Sequence, residues 1–195
     1  LMARFEENVL DATNDYALYV EDESRLDGLP ADVIAAAREE AAADGRAGWK
    51  LTLHGPSYIP VLQYARERSL REELYRAHTA RASDLGKPQW DNGPLVVRLL
   101  QLRDEQARLL GFTNFAEVSL TPKMAKSPDA AVSFLHDVIA RAKPHAERDM
   151  AALREFATTE LGLPDLQAWD IDYASEKLRE SRFSFSNNEI RQYFP

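Results

Sequence analysis

Nearly every apolar-periodic stretch of this chain is bracketed by a residue that starts a helix and one that stops it. In residues 28–45, Pro30 suits a first helical turn, where its missing N–H is no loss, and Gly45 closes an Ala- and Glu-rich run. Ser69 with Glu72 reads as a capping box opening another helix. Leu95, Val96, Leu99, Leu100, Leu102 and Leu109 recur at helical spacing over 94–110, ahead of Gly111. Ser127 and Pro128 form the next start signal, followed by a stripe of Ala131, Val132, Leu135, Val138, Ile139 and Ala142. Pro144 is expected to end or kink that helix, with a second arm from 145 to 161 closed by Gly162. Further helices are expected over 2–21, 171–180 and 187–194. The fold class is therefore all-α, with one short strand near 48–53.

That strand is "GWKLTL", where Trp49, Leu51 and Leu53 alternate onto one face. A strand must pair to satisfy its backbone, and no convincing partner is legible in the sequence. No internal repeat is present. The Trp-Asp pairs at 90–91 and 169–170 each precede a predicted helix and read as local caps.

Composition excludes several classes of chemistry. With no cysteine among 195 residues, disulfides, a thiol nucleophile and thiolate zinc sites are all excluded, and a reducing compartment such as the cytoplasm is expected. A formal charge of −8 disfavours nucleic acid as a partner. No apolar run is long enough to span a bilayer, so no membrane partner is expected.

The search for chemistry finds no constellation. His54, His78, His136 and His145 lack a second His, or a Glu, at helical metal-ligand spacing. His145 and Asp149 share a helical face, which suits a surface hydrogen bond better than a metal. Ser57, Ser69 and Ser127 sit where capping explains them, and no nucleophile elbow or glycine-rich phosphate loop occurs. Glu39 with Glu40, and Asp11 with Asp15, read as solvated faces rather than acid–base pairs. The tyrosines read as core-edge residues, Lys123 as a surface charge and Met124 as a packing residue.

Five blocks taken in order say more. They are "FEENVLDAT" (5–13), "GLPADVIAAA" (28–37), the long run 51–84 beginning "LTLHGPSYIP", "LLGFTNFAEVSLTPKMAKSPDAAVSFL" (109–135) and "WDIDYASEKLRESRFSFSNNEIRQYFP" (169–195). Their succession resembles the middle of the thimet oligopeptidase family of zinc metallopeptidases. Ala174 after Tyr173, and Pro122, depart from the usual pattern. The resemblance implies a nearly all-helical enzyme with a deep channel between two lobes, in which short peptides are cleaved. It also implies one zinc ion, held by a His-Glu-x-x-His helix and a later Glu, with the motif's Glu as general base. That motif is absent from 1–195. The chain is thus expected to be an internal fragment, 1–195, that forms channel walls, with the active site beyond residue 195. No catalytic, cofactor-binding or metal residue is expected in it. The zinc and the short peptide substrates would belong to the parent enzyme, and a torn-out segment would explain the unpaired strand. The alternative is a free-standing all-α module that binds a protein on an apolar groove. A carboxylate metal bundle would need Glu-x-x-His pairs, and there are none.

Overall fold

The structure, a computed structural model, describes residues 1–183, so the helix expected at 187–194 lies outside the described residues. Eight α-helices and one small sheet are described: α1 Met2–Asp15, β1 Leu18–Val20, α2 Ala31–Ala43, β2 Trp49–Leu51, α3 Gly55–Tyr64, α4 Arg68–Thr79, α5 Gly93–Leu109, α6 Phe115–Leu120, α7 Pro128–Glu160 and α8 Ile171–Phe183. The chain divides into two compact units, residues 1–5 with 92–152, and residues 6–91 with 153–195.

The mainly helical class holds, with one correction. β2 does have a partner within the chain: β1 pairs with it antiparallel, with Leu18 opposite Leu51, Tyr19 opposite Lys50 and Val20 opposite Trp49. The helix expected over 2–21 stops at Asp15 because Leu18, Tyr19 and Val20, aromatic or branched residues that suit a pleated surface, are captured by that pairing. Val20 and Leu51 are fully buried, while Tyr19 and Lys50 face outward and share Asp44. The Tyr19 hydroxyl donates to the Asp44 carboxylate at 2.6 Å and Lys50 Nζ lies 2.7 Å from it. Gly48 turns the chain into β2 at φ +87°, and a Cβ there would sit 2.3 Å from the Val20 carbonyl oxygen. Glycine is required on both counts.

Two further expectations are corrected. α7 is one helix running through Pro144, not two arms of a hairpin. One missing hydrogen bond and a ring clash cost about 3 kcal/mol. Good helix formers on both sides, and ion pairs one turn apart at Asp137–Arg141 and Lys143–Glu147, carry the helix across. The capping box at Ser69 does not form either. α4 begins at Arg68, Ser69 donates to the Glu67 carboxylate from inside the first turn, and Glu72 pairs with Arg76 at 2.8 Å. The start signal at Ser127 does form, its Oγ accepting from Ala130 N–H at 3.1 Å.

The core lies in the unit of residues 6–91 and 153–195. Val20, Leu26, Leu51, Val61, Leu70 and Leu74 are its most deeply buried large apolar members. Beside them is a buried ionic hub. Asp170, fully buried, takes hydrogen bonds from Arg71 Nη2 at 2.7 Å, from Arg68 Nη2 at 2.7 Å and from the Gln167 N–H at 3.0 Å. Arg71 is only 1% exposed; its Nη1 also donates to the Ala65 carbonyl at 2.7 Å, and its guanidinium lies 4.2 Å from the Tyr173 ring centre. One carboxylate thus ties α4 to the start of α8, about a hundred residues away in sequence. A second buried contact, from the Tyr64 hydroxyl to Glu176 at 3.1 Å, fastens α3 to α8.

The other unit is built differently. Among its described residues only Asn92 and Ala107 are buried. The stripes on α5 and α7 exist, but most of their members face outward: Leu100 is 58% exposed, Leu109 87%, Leu135 55% and Ile139 55%, while Leu95 and Leu99 are half-buried.

Asp170→Ala strands two guanidinium groups, one of them buried, and should cost about 3–5 kcal/mol, read as a lower denaturant midpoint. Burial pushes the Asp170 carboxyl up, but the bonds from Arg68, Arg71 and Gln167 N–H outweigh it and hold the pKa below the ordinary value. Its contribution should be complete above about pH 4 and lost as pH falls through the lower folded value. A wild-type midpoint that fails to drop across that acid range, while the Asp170→Ala midpoint stays level, is the pattern that would exclude this assignment.

Candidate functional site

The residues weighed in the sequence do not converge. His54 occupies the N-cap position of α3 and is exposed; His136 is exposed on α7. His145 is also exposed and its Nδ1 lies 2.7 Å from Arg148 Nη2, so its hydrogen-bond partner is Arg148 rather than Asp149. Ser57 lies inside α3 and its Oγ accepts from the Thr52 N–H at 2.9 Å, which anchors the end of β2 rather than capping a helix. Lys123 Nζ bonds Ser119 Oγ at 2.8 Å, while Met124 is fully exposed instead of packing. Asp15 pairs with Lys87. Glu39, Glu40 and Asp11 are exposed. Two of the tyrosines satisfy their hydroxyls with carboxylates, Tyr19 with Asp44 and Tyr64 with Glu176.

The most site-like arrangement lies at the C-terminal ends of α1 and α4, within the unit of residues 6–91 and 153–195. His78, on the last turn of α4, stacks on Tyr58 of α3 with ring centres 4.1 Å apart and planes 9° from parallel. Arg81 folds back over it. Its Nη2 lies 2.8 Å from His78 Nε2, its Nε donates to the His78 carbonyl at 2.8 Å, and its Nη1 donates to Thr13 Oγ1 at 2.8 Å. Thr13 in turn donates to the Val9 carbonyl, so Arg81 ties α1 to α4. Since a guanidinium can only donate, Nε2 accepts and the His78 ring is neutral. Burial, then the Arg81 charge, push its pKa below the ordinary value. Burial and then the neighbouring Asp172 lift the Tyr58 phenol to about 12. In front of Arg81 opens a cleft of ≈ 300 Å³ lined by Tyr16, Leu53, Leu85, Lys87 and Trp90 among others.

Both the ionic hub and this cluster escaped the sequence reading. Trp169-Asp170 was legible as a local signal, and Arg68 and Arg71 are three apart on one helix, but nothing local connects them. His78 and Arg81 sit at i, i+3, which gave a faint cue, whereas Tyr58 and Thr13 come from separate helices.

The donor set can be tested against the zinc ion that the resemblance implies. Among the described residues no three His, Asp or Glu side chains are grouped so as to hold a metal ion. The best-placed nitrogens and oxygens already face cations: His78 and His145 face arginines, and Asp170 faces two. These residues do not fit the ion, and no chemical step is assigned to it here. No helix among the described residues is long and apolar enough to cross a membrane.

His78 should titrate with a midpoint below about 6.5, followed by the NMR shift of its Cε1 proton. The unfolded ring takes up its proton first as pH falls, so the stability from this packing should be present above 6.5 and lost as pH drops through the folded midpoint. His78→Phe, which keeps a ring on Tyr58, should flatten the stability profile as pH falls from about 6.5. A folded midpoint at or above 6.5 would contradict the neutral, Arg81-facing ring.

Comparison with known proteins completes the description. Residues 61–195 match peptidase family M3. The chain is 45% identical to oligopeptidase A of Salmonella typhimurium over 98% of its own length, and 45% identical to oligopeptidase A of Escherichia coli over the same share. It is 37% identical over its whole length to a probable cytosolic oligopeptidase A of Arabidopsis thaliana. In each case it spans only about 28% of the relative's length.

Proposed function

The chain belongs to peptidase family M3, and from that membership we propose that it is a non-catalytic helical portion of a zinc metallo-endopeptidase that hydrolyses short peptides. The single observation that carries this reading is 45% identity to oligopeptidase A, sustained over 98% of the chain but over 28% of the relative. In the proposed arrangement residues 1–195 form a wall of a peptide channel, and the metal and its ligands are supplied by polypeptide beyond them. Helical walls of this kind act by positioning substrate and excluding water rather than by contributing a reacting group. The proposed location is the cytoplasm, by analogy with the probable cytosolic relative of Arabidopsis thaliana.

The exposed stripes support the same reading. Val96, Leu100 and Leu109 on α5, and Val132, Leu135, Val138 and Ile139 on α7, are all more than 40% exposed. Contiguous apolar surface on this scale marks a face that something covers. In this proposal the cover is the remainder of the parent polypeptide. The same stripes favour the second reading, a free-standing module that docks a partner protein in an apolar groove.

One preparation separates the two. Residues 1–195 expressed alone should self-associate and should hydrolyse no short peptide. The intact natural polypeptide should cleave such peptides and lose the activity to a chelator. A monodisperse, cooperatively unfolding 195-residue chain would favour the module. Chelator-sensitive peptide hydrolysis by residues 1–195 alone, with one zinc bound per chain, would overturn the assignment of this segment as non-catalytic.

A further inference from the structure

In the unit of residues 6–91 and 153–195, arginines that leave the surface meet acids. Arg25 meets Glu67 at 2.9 Å, Arg68 and Arg71 meet Asp170, and Arg179 meets Glu176. Among the described residues Arg81 is the exception. It is half-buried, and its partners are all neutral: a threonine hydroxyl, an imidazole nitrogen and a main-chain carbonyl. The carbonyl belongs to the end of α4, whose dipole supplies part of the missing countercharge. Burial holds the guanidinium pKa down; the one group acting to raise it is the Tyr58 phenol, not a carboxylate.

Withdrawing a cation from water without an acid is costly, and the usual remedy is a paired anion. Arg81 carries five N–H donors. Its three close contacts use one each on Nε, Nη1 and Nη2, which leaves one on each terminal nitrogen. The cleft in front of it holds a second cation, Lys87, and a single carboxylate, Asp15, which Lys87 already pairs. Two cations and one carboxylate thus line the cleft itself, in a chain of net charge −8. Its remaining lining is apolar or aromatic, chiefly Leu53, Leu85, Tyr16 and Trp90, and Lys87 Nζ lies 5.4 Å from the Trp90 ring centre.

The lip of the cleft is held in one shape. Ser83 Oγ donates to the Ala80 carbonyl and accepts from the Leu85 N–H, and the Gly86 N–H donates to the Ser83 carbonyl. Ala82 is buried at φ +50°, a conformation that a non-glycine residue keeps only when its surroundings impose it. A volume of ≈ 300 Å³ is at the lower end for small-molecule pockets.

We propose that this cleft binds an organic carboxylate carried on a small apolar body, the carboxylate on Arg81 with Lys87 at the rim and the apolar part against Trp90, Tyr16 and Leu53. The terminal residue of a short peptide has this chemistry. The site does not depend on the peptidase reading, since it uses no metal and no reacting group.

The test uses the intact natural polypeptide labelled with 5-fluorotryptophan, the Trp90 fluorine line being assigned by Trp90→Phe. The probes are N-acetyl-leucine and its amide, which differ only in the carboxylate. The Trp90 line should shift saturably with the acid, and the amide should bind about ten-fold more weakly or worse. Arg81→Gln should weaken the acid by a similar factor. Lys87→Gln, at an exposed rim position that leaves the fold intact, should weaken it by about two- to three-fold, with a loss of salt dependence. Acid and amide shifting the line equally would overturn the proposal. So would unchanged acid affinity in Lys87→Gln and Arg81→Gln, or a Trp90 line that the acid never moves because a carboxylate of the polypeptide itself holds Arg81.

Discussion

The bond between Asp170 and the two arginines of α4 is the constraint on which the larger unit depends. Arg71 is almost completely buried and Asp170 completely so, and neither charge is tolerable there without the other. The pair therefore acts less as a source of net stability than as a condition on geometry. α8 can pack on α3 and α4 only where the carboxylate meets both guanidinium groups, the Gln167 N–H reaches the same carboxylate, and Tyr173 lies over Arg71. An apolar contact would tolerate a sliding helix; a buried, directional bond does not. The same bond explains a local detail. α4 begins at Arg68 rather than after a serine cap because Arg68 is held by Asp170 and by the Asp165 carbonyl at 2.6 Å.

What the sequence made legible follows from range. Helix stops at Gly45, Gly111 and Gly162, and the Ser127 start, depend on residues within one turn of each other, and all four are legible in the sequence. The alternation of Trp49, Lys50 and Leu51 was read correctly for the same reason. Its partner was not, because Leu18–Val20 continues a plausible helix and becomes a strand only by pairing some thirty residues downstream. The break expected at Pro144 fails for a different reason: the local penalty is a few kcal/mol, and a helix of 33 residues gains enough on either side to continue through it. The ionic hub and the His78–Arg81 cluster were invisible because their members come from segments far apart in sequence. No spacing rule reports a contact between residues 13 and 81 or between 71 and 170.

The two units differ in what their helical stripes accomplish. In the larger one, stripes from α2, α3 and α4 close on the sheet, and the aliphatic residues at their centre lose nearly all exposure. In the other, the stripes of α5 and α7 are as regular in sequence, and most of their members stay in solvent. Periodicity fixes which face of a helix is apolar, but it says nothing about what covers that face. The chain belongs to family M3 and spans about 28% of the length of the relatives it matches.

The same distinction applies to charge. Asp170 and Arg81 lie in one unit and show two ways of handling an ion withdrawn from water. The first is answered inside the fold, by partners that leave it no free valence and no room for anything else; such a group holds structure and is closed to chemistry. Arg81 is answered only in part, by neutral acceptors and a helix end, and it borders open space. A cation left short of countercharge on the wall of a rigid cleft attracts an anion whether or not the surrounding protein performs catalysis. Among the described residues, whose donors do not fit a metal, this is where an interaction with a small molecule is least dependent on residues outside the segment.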